Sequence, residues 1–393
     1  MRIGLVCPYS LAVPGGVQNH VLGLAGWLVG EGHRVSILAP DEAPAVLLAR
    51  HGVPADAVTS CGRSLPVPYN GSVARITFGP LSARRVRRWL RTEQPDVLHV
   101  HEPITPSASL VALRHSRVPV VATFHTATPR SRTMHLARRL LAGTIDRIAA
   151  RIAVSPTAAE VVRTHLHREA QVVPNGFSPA QLRGGAVPRL SHRLVFLGRL
   201  DEPRKGLEVL LRAWPAIREV HPDCELVLAG AGRRRHLPDG CRAVGVVSDA
   251  ERADLLGSAE LFIAPHRGRE SFGLVVVEAM AARAVVVAAD LPAFADVLTG
   301  PDGRRYGHLF RAGDADALAD AVLAALTDDA LHSGNPALRD RAAEAAERYD
   351  WSVVAPEVVQ TYREVVAARD AVARRSGRSL PATSVTAGDQ LVR

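Results

Sequence analysis

Short apolar segments alternate with longer amphipathic segments along most of this 393-residue chain. The apolar segments are rich in Val, Ile and Leu, and each has the length of one strand. In the first half of the chain they are Ile3–Cys7, Val35–Ala39, Val97–Val100, Val120–Phe124 and Ile152–Val154. In the second half they are Leu194–Leu197, Glu225–Ala229, Arg242–Val246, Leu261–Ala264 and Val285–Ala288. Continuous apolar strands separated by helices are typical of parallel sheets covered on both faces, so the sequence predicts an α/β chain with two Rossmann-like, doubly wound domains.

The two series of strands also predict the domain boundary. Residues 178–191 show no clear periodicity and are rich in Gly, Pro and Ser. We expect an N-terminal domain over residues 1–178 and a C-terminal domain over residues 190–351, facing each other across a central cleft. A helix over residues 352–374 should pack back on the N-terminal domain, and the polar residues 376–393 should form a disordered tail.

Charge and cysteine content narrow the class of protein. The chain carries 48 Lys and Arg residues against 39 Asp and Glu, and its net charge of +9 suits phosphate-bearing ligands, an anionic membrane surface or nucleic acid. Nucleic acid is the least favoured partner, because the sequence shows no zinc spacing and no interleaving of aromatic and basic residues. No apolar run reaches the ~18 residues that span a bilayer, and the first apolar run is too short for a signal peptide. The four scattered cysteines indicate reduced thiols in a cytoplasmic protein.

Lys205 is the only lysine of the chain, and every other basic residue is an arginine. Arg199 and Lys205 follow the first strand of the second domain, in a glycine-containing loop that precedes a helix. Such a loop is a common setting for a phosphate site. Two cations there can neutralise a diphosphate and stabilise the charge that grows on it when a bond breaks. The alternative is that Lys205 is an ordinary exposed lysine.

Two further segments place glycine or carboxylate groups at the start of a predicted helix. Gly15 and Gly16 follow the first strand and let the backbone approach a phosphate, although a plain tight turn would have the same residues. Glu270 precedes the predicted helix Leu274–Ala282, and Glu278 is expected two turns inside it. Free amides at a helix start attract anions, and both carboxylates can accept hydrogen bonds from ligand hydroxyls. Otherwise Glu270 would be a helix cap and Glu278 a solvated charge.

Histidines lie at the ends of two strands of the first domain. His125 directly follows the strand Val120–Phe124, where its side chain would reach a ligand at the carboxyl end of the sheet, although a packing role is also open. His99 and His101 lie on one face of another strand. With no third ligand nearby in the sequence, we expect them to form hydrogen bonds at the strand end rather than to bind a metal.

The segment Leu81–Arg91 predicts a short and strongly basic helix. It interleaves Val86, Trp89 and Leu90 with the arginines Arg84, Arg85, Arg87, Arg88 and Arg91. A basic helix that carries a tryptophan is typical of an element lying on a membrane surface. Each arginine near anionic lipid contributes on the order of 1 kcal/mol. The alternative is an ordinary solvated helix with Trp89 and Leu90 in the core.

Several segments together match the motif pattern of a known family. They are Gly4–Ser10, Val13–Gln18, Pro66–Arg75, His99–Pro103, Thr123–Thr126, Asp201–Gly206, Glu270–Gly273, Val277–Met280 and Tyr349–Ser352. With these motifs the chain resembles glycosyltransferase family 4, whose members have the GT-B fold, over nearly its whole length. The Tyr69–Arg75 stretch and the basic helix are most similar to the actinobacterial branch of the family that acts on phosphatidylinositol.

The resemblance implies a retaining hexosyltransferase that transfers mannose from GDP-mannose to the inositol 2-position of phosphatidylinositol, the first step of phosphatidylinositol mannoside synthesis. Its partners would be the nucleotide sugar, phosphatidylinositol and an anionic membrane surface on the cytoplasmic side, without nucleic acid. No cofactor and no metal are expected. Because no obvious carboxylate pair flanks the bond, the leaving diphosphate would take the proton of the acceptor hydroxyl. A family member with another donor or acceptor is the alternative.

The resemblance also implies a role for each residue that matches a motif. Catalytic roles fall on His125, Arg199 and Lys205. The donor would be bound by Gly16, Arg199, Lys205, Val247, Glu270, Ser271, Phe272, Gly273 and Glu278. The acceptor would be bound by Tyr9, Gln18, Tyr69, Asn70, Ser72, Arg75 and Arg130. The membrane would be bound by Arg84, Arg85, Arg87, Arg88 and Trp89.

Three positions depart from the pattern of the similar family members. Those members have Asp at the position of Ala12, and Gly at the positions of Arg269 and Arg283. Ala12 lies beside the predicted acceptor loop, and Arg269 directly precedes the glutamate that would hold the sugar. Arg283 follows a predicted helix, where a cap in the left-handed conformation is expected.

Overall fold

The computed structural model describes residues 1–13, 15–69, 72–126, 141–182, 187–232, 236–327 and 335–376. The fold divides the chain into two compact units. The first comprises Met1–Tyr69, Val73–Val173 and Ala355–Arg393, and the second comprises Asn70–Ser72 and Pro174–Val354.

The first unit is built on a seven-stranded parallel sheet. Its strands are β1 (Arg2–Val6), β2 (Arg34–Ala39), β3 (Val58–Ser60), β6 (Val97–His101), β7 (Val120–Phe124), β8 (Ile148–Ala153) and β9 (Gln171–Val172). They lie in the order β3-β2-β1-β6-β7-β8-β9. A separate two-stranded sheet is formed by β4 (Leu65–Tyr69) and β5 (Ser72–Ile76). The helices are α1 (Gly16–Gly30), α2 (Ala45–Arg50), α3 (Pro80–Glu93), α4 (Ala108–His115) and α5 (Pro156–Leu166).

The second unit repeats this plan with a six-stranded parallel sheet. Its strands are β10 (Arg193–Leu197), β11 (Glu225–Ala229), β12 (Cys241–Gly245), β13 (Leu261–Ala264), β14 (Val285–Ala289) and β15 (Gly307–Phe310). They lie in the order β12-β11-β10-β13-β14-β15. The helices are α6 (Leu207–Val220), α7 (Asp249–Ser258), α8 (Leu274–Ala281), α9 (Pro292–Leu298), α10 (Ala315–Thr327) and α11 (Pro336–Glu347).

The sheets confirm the predicted pair of doubly wound folds. All ten predicted strands are present, with ends that move by up to four residues. The sequence missed the short strands β3, β9 and β15 and the β4–β5 hairpin. These segments are hard to recognise because β3 and β9 have only three and two residues, and because β4 contains two prolines, which are depleted in strands.

Strand order places the loops that can hold a ligand. In the first unit the order reverses between β1 and β6, and in the second it reverses between β10 and β13. Loops at the carboxyl ends of the strands diverge at such a reversal and leave a crevice for a ligand. The loops after β1, β10 and β13 carry Tyr9, Arg199, Lys205 and Glu270 among the residues that the sequence singled out.

A long helix, α12 (Trp351–Arg375), ends the described chain, and its residues from Ala355 onward belong to the first unit. The Arg369 guanidinium donates a hydrogen bond to the carbonyl of Asp96, 3.2 Å away. Within the described ranges, no helix has both the length and the apolar character needed to cross a membrane. Residues 377–393, where a disordered tail is predicted, lie outside the described residues.

Candidate active site

Three buried histidines meet at the carboxyl end of the first sheet. His20 lies on α1, His101 ends β6, and His125 follows β7. His101 Nδ1 and His125 Nε2 are 3.0 Å apart and share a hydrogen bond. The His20 ring lies 5.3 Å from the His101 ring and 4.9 Å from the His125 ring, edge to face in both cases. The sequence indicated His125, but His20 carries no signal of its own, because its place depends on how α1 packs on the sheet.

Glu102 fixes the backbone at His125. One oxygen of its buried carboxylate accepts a hydrogen bond from the His125 backbone N–H at 2.7 Å, and the other accepts one from Thr126 Oγ1 at 3.0 Å. The Glu102 backbone has φ 49°, and its N–H donates to the Thr123 carbonyl at 2.9 Å. Glu102 therefore ties the end of β6 to the end of β7, a role that was not predicted from the sequence.

His99 forms a second layer behind His101. Its Nδ1 lies 2.6 Å from the Tyr362 hydroxyl of α12, and its Nε2 lies 2.7 Å from Thr123 Oγ1. The His99 and His101 rings are 4.3 Å apart with a 33° tilt. The predicted hydrogen-bonding role of these two histidines is confirmed. No third metal ligand lies near them in the sequence, but folding places His20 and His125 beside His101.

Burial keeps these imidazoles neutral. It lowers the pKa of His99 to about 3, and it holds the pKa values of His101 and His125 well below 6.5, with the neighbouring histidines adding to the effect. Burial also raises the pKa of Glu102, against the opposing effect of its hydrogen bonds to His125 and Thr126. A neutral imidazole keeps one N–H donor and one lone pair, and Nε2 of His125 is already bonded to His101, so Nδ1 of His125 is the ring nitrogen left to donate to a ligand or to accept from it.

The loop after β1 brings several predicted acceptor residues close to one another in the fold. Gln18 is buried and donates through Nε2 to the carbonyls of Ser10 and Val13, at 3.3 and 3.2 Å, so its amide shapes the loop. Tyr9 forms a β-bridge with Ile76, and the Ser10 N–H donates to the Arg75 carbonyl at 3.0 Å.

The structure describes Gly16 of this unit, but not all of the remaining predicted acceptor residues. Gly16 begins α1, and a Cβ added there would meet no described atom within 4 Å, whereas one added at Gly15 would collide with the Gln18 side chain. Asn70 and Arg130 lie outside the described residues, as do the side chains of Tyr69 and Ser72.

In the second unit, Lys205 is paired with Glu270. Lys205 Nζ lies 3.2 Å from Glu270 Oε2, which also lies 2.9 Å from His266 Nδ1 and 3.5 Å from Arg204 Nη1. The Lys205 side chain is only 14% exposed, which excludes the ordinary surface lysine. Burial opposes ionisation of Glu270, but the charge of Lys205 and the contacts with His266 and Arg204 hold the pKa of that carboxyl well below its usual range.

Gly206 explains why the two loops meet. Its φ is 71°, and a Cβ at this position would overlap the carbonyl oxygen of Pro265 after β13. Only glycine allows both the left-handed backbone and this close approach. Arg199, by contrast, is half exposed, with Nε 3.7 Å from carboxylate oxygens of Asp201 and Glu202. Of the two cations predicted to bind a diphosphate, Lys205 is therefore largely buried and Arg199 is half exposed.

The entrance of α8 carries the remaining predicted donor residues. Gly273 caps this helix with φ 100°, and Phe272 is buried against Tyr349, so only the backbone of Phe272 can reach a ligand. Glu278 lies 3.0 Å from Arg252, and its side chain is 13% exposed, so it is not a solvated charge. It lies just over one turn into α8, because the helix begins at Leu274, and not two turns as predicted. Val247 follows β12 and is half-buried.

The basic helix α3 exists, but its tryptophan is not on the surface. The predicted arginines Arg84, Arg85, Arg87 and Arg88 are exposed. Trp89 is 3% exposed and packs so closely on β1 that a Cβ at Gly4 would lie 3.0 Å from its ring. The expectation that Trp89 contacts a membrane is therefore wrong. The exposed apolar side chains next to these arginines are Phe78 and Leu81, which the sequence analysis did not single out.

Two of the three unusual positions have a left-handed backbone. Arg269 has φ 56° and Arg283 has φ 64°, so both occupy a conformation that glycine adopts more easily. The expected left-handed cap at Arg283 is confirmed. Ala12 is exposed, and its N–H donates to Ser10 Oγ at 3.3 Å.

Comparison with known proteins agrees with the motifs. The family model Glycosyltransferase Family 4 matches residues 14–181, and the model Glycosyl transferases group 1 matches residues 191–328. A phosphatidyl-myo-inositol mannosyltransferase from Propionibacterium freudenreichii subsp. shermanii is 46% identical over 371 residues, which cover 92% of this chain and 94% of the relative. The protein of the same name from Mycolicibacterium smegmatis is 45% identical over 377 residues, which cover 93% and 94%.

Solved structures agree on the fold. The structure of HepE from Anabaena in complex with UDP and glucose has a TM-score of 0.71 at 20% identity, and the match covers 93% of this chain and 100% of that one. At this identity the likeness concerns the fold alone. With two family models and relatives at 46% and 45% identity over almost the whole chain, this protein is an enzyme of glycosyltransferase family 4 with the GT-B fold.

Proposed function

We propose that the enzyme transfers mannose from GDP-mannose to the inositol 2-position of phosphatidylinositol, with retention of the anomeric configuration. The identity to phosphatidyl-myo-inositol mannosyltransferases over more than nine-tenths of the chain carries the proposal. The Lys205–Glu270 contact and the buried His125 support transferase chemistry, because these three residues lie in motifs of the wider family.

The donor binds to the second unit in this proposal. Arg199 and Lys205 bind the diphosphate, while Glu270 and the backbone amides of residues 271–273 hold the mannose hydroxyls at the start of α8. Glu278 holds the ribose, and the loop at Val247 lines the guanine. Lys205 keeps Glu270 ionised, and an ionised carboxylate is the stronger hydrogen-bond acceptor for a sugar hydroxyl.

The proposed mechanism depends on stabilising the charges that develop on the leaving diphosphate and on the sugar. The bond between the anomeric carbon and the diphosphate breaks, and Arg199 and Lys205 stabilise the negative charge that collects on the leaving oxygen. That oxygen accepts the proton of the inositol hydroxyl, whose oxygen bonds to the anomeric carbon on the face from which the diphosphate departs. The neutral His125 supports the positively charged sugar from its lone pair, because its pKa lies well below neutral pH. No metal takes part in these steps.

The acceptor is a lipid, so the enzyme must work at a membrane surface. The arginines of α3 and the exposed side chains of Phe78 and Leu81 form a surface with positive charge and apolar groups. Such a surface binds anionic lipid by charge and by shallow insertion of apolar side chains. We therefore place the enzyme on the cytoplasmic face of the membrane, with Tyr9, Gln18 and Arg75 near the inositol phosphate. The residues Tyr69, Asn70, Ser72 and Arg130 are proposed for the same role by their motifs alone.

A donor comparison tests the proposal. Purified enzyme is incubated with phosphatidylinositol vesicles and one nucleotide sugar at a time, and the lipid is analysed by mass spectrometry. We expect singly mannosylated phosphatidylinositol with GDP-mannose, and no hexosylated lipid with UDP-glucose. A second candidate, a family member with another donor or acceptor, is favoured by Ala12 and Arg269. Product from a different donor, without product from GDP-mannose, would decide for that candidate.

A further inference from the structure

Three imidazoles of the first unit converge on one small volume. His20, His101 and His125 come from α1, β6 and the loop after β7, and each offers one ring nitrogen within 4.8 Å of the other two. All three residues are buried, and His125 is the most exposed of them at 7%. The cluster needs a hydrogen-bond partner for each ring nitrogen, or a ligand that takes up the lone pairs.

Hydrogen bonds from the described residues satisfy only one of the two ring nitrogens of His101. Its Nδ1 bonds His125 Nε2, but its buried Nε2 is reached by no hydrogen-bonding group of the residues that the structure describes. A neutral imidazole has one donor and one acceptor, so one buried polar atom of His101 stays unmatched in either tautomer. An unmatched buried polar group costs roughly 1–3 kcal/mol, so the described chain leaves the cluster incompletely satisfied.

The chemistry of the cluster suits a borderline metal ion. Three imidazole nitrogens are a common ligand set for zinc, with a fourth position left for water or substrate. Zn–N bonds of about 2.0–2.1 Å place the nitrogens of a tetrahedral site about 3.3 Å apart. His101 Nδ1 and His125 Nε2 are already 3.0 Å apart, so small side-chain movements suffice for this pair. The buried Glu102 carboxyl accepts a hydrogen bond from the His125 backbone N–H, so an acidic group lies beside the backbone of one of the three proposed ligands.

We propose that His20, His101 and His125 bind one divalent transition-metal ion of the zinc class, and that the bound ion inhibits the transferase. The ion takes the lone pair of His125, which the sugar needs during transfer, so metal and sugar compete for one imidazole. The inhibition rests on the proposed function, whereas the metal site itself does not.

A second cluster of ligand atoms provides a matched control. His192, His221 and Asp223 of the second unit also place one ligand atom each within 4.8 Å of the others, and His192 Nδ1 lies 2.5 Å from Asp223 Oδ2. These residues are partly exposed and lie at the amino ends of β10 and β11, away from the loops that carry Lys205 and Glu270. Zinc bound there leaves His125 untouched, and the change Asp223→Asn weakens that cluster without altering the first unit.

Zinc binding is measured on the full chain after treatment with EDTA, by competition with a chromophoric chelator. In the Asp223→Asn protein we expect one zinc ion per chain. Adding His20→Gln or His101→Gln to this variant should lower its affinity for zinc by about 100-fold or more. Loss of a residue that hydrogen-bonds to a metal ligand already costs about 10–100-fold in affinity, and loss of a ligand itself should cost at least as much. Circular dichroism checks that each variant folds. Unchanged zinc affinity in both histidine variants, or loss of all zinc binding in Asp223→Asn alone, would overturn the proposed site.

Inhibition is measured as mannosyl transfer with and without zinc. We expect zinc to inhibit the parent and Asp223→Asn enzymes equally, and EDTA to restore turnover in both. Stoichiometric zinc bound at the three histidines with unchanged turnover would overturn the inhibitory role. If no nucleotide sugar gives any transfer, the proposed function fails, and the zinc titration alone then decides the metal site.

Discussion

Lys205 lies in a place where its compact head group matters. The ammonium group is largely buried beside Glu270, and the loop behind it is pressed against Pro265 at Gly206. An arginine would place a wide, planar guanidinium group where the site now holds the compact ammonium group of a lysine. Lysine at this single position, in a chain whose other basic residues are all arginine, fits that geometry.

Replacing Lys205 with arginine should therefore damage turnover and spare the fold. We expect Lys205→Arg to lower kcat by about 10-fold or more, because one misplaced charge loses about 1.4 kcal/mol or more of leaving-group stabilisation. The melting temperature should stay within a few degrees of the parent, since the charge facing Glu270 remains. Steady-state kinetics and calorimetry measure the two effects. The matched control is Arg267→Lys, an exposed residue of the neighbouring loop, and equal kcat in both variants would contradict the role of Lys205.

Single residues were predictable where a motif marks them, and their pairings were not. Lys205, Glu270 and His125 follow apolar strands in recognisable contexts. The contact of Lys205 with Glu270 joins positions 65 apart, and that of His101 with His125 joins positions 24 apart. Such contacts follow from the strand order, which the alternation of apolar segments does not specify. Glu102 was missed for the same reason, since its carboxylate acts on the backbone of the next strand.

At the scale of elements, helix α8 ends in a conformation that costs energy. Arg283 has φ 64° after the last turn, and its guanidinium pairs with Asp340 on α11. A residue with a Cβ in this conformation loses roughly 1–2 kcal/mol, and an exposed ion pair returns about 0–1 kcal/mol.

Comparing two substitutions at Arg283 separates the backbone from the ion pair. Both Arg283→Gly and Arg283→Ala lose the pair with Asp340, but only glycine relieves the left-handed backbone. We expect the glycine variant to be more stable than the alanine variant by about 1 kcal/mol in the free energy of unfolding. Denaturant titration measures the difference. An alanine variant as stable as the glycine variant would show that the φ of this residue is not a source of strain.

The proposed membrane affinity of helix α3 comes from its arginines and from the exposed side chains of Phe78 and Leu81. Trp89 is buried in the core instead. Replacing Arg84, Arg85, Arg87 and Arg88 together with serine removes four charges at about 1 kcal/mol each. We therefore expect binding to vesicles that contain anionic lipid to fall by about 100-fold or more. Co-sedimentation with vesicles of phosphatidylcholine and phosphatidylinositol measures the change.

The matched control removes the same number of charges elsewhere. Four exposed arginines of the second unit, Arg212, Arg304, Arg305 and Arg311, are replaced with serine. If net charge alone attracts the lipid, both quadruple variants should lose the same affinity. The α3 surface is supported only if its own variant loses much more. Phe78→Ser and Leu81→Ser then test the apolar part, and they should weaken binding while salt dependence stays as in the parent.

At the scale of the whole molecule, the repeated alternation of strands and helices was enough to predict two doubly wound units. In both units some motif residues lie in loops beside the reversal of strand order, which brings motifs far apart in the sequence to the same end of a sheet. The hairpin β4–β5 was not predictable, because β4 contains prolines, which are depleted in strands. The contact of Tyr362 with His99 was not predictable either, because the two residues lie far apart in the sequence.

The buried histidines also make the stability of the folded chain depend on pH. His99, His101 and His125 stay neutral in the fold, with the pKa of His99 lowered to about 3 and those of His101 and His125 held well below 6.5, in each case mainly by burial. Unfolding exposes them, and their pKa values return to about 6.5. Below that pH the unfolded chain binds more protons than the folded chain, so stability is full above pH ~6.5 and falls as the pH drops.

Each histidine contributes at most about 1.4 kcal/mol per pH unit, so three of them contribute up to about 4 kcal/mol per unit below pH ~6.5. Urea unfolding with EDTA present, at pH values on both sides of about 6.5, measures this slope. The matched variant is His99→Gln, which keeps polar atoms near Tyr362 and Thr123 but cannot titrate. Its slope should be smaller than that of the parent by about 1.4 kcal/mol per pH unit. An unchanged slope would mean that His99 is already protonated in the fold, and the neutral cluster on which the chemistry of His125 depends would then be incorrect.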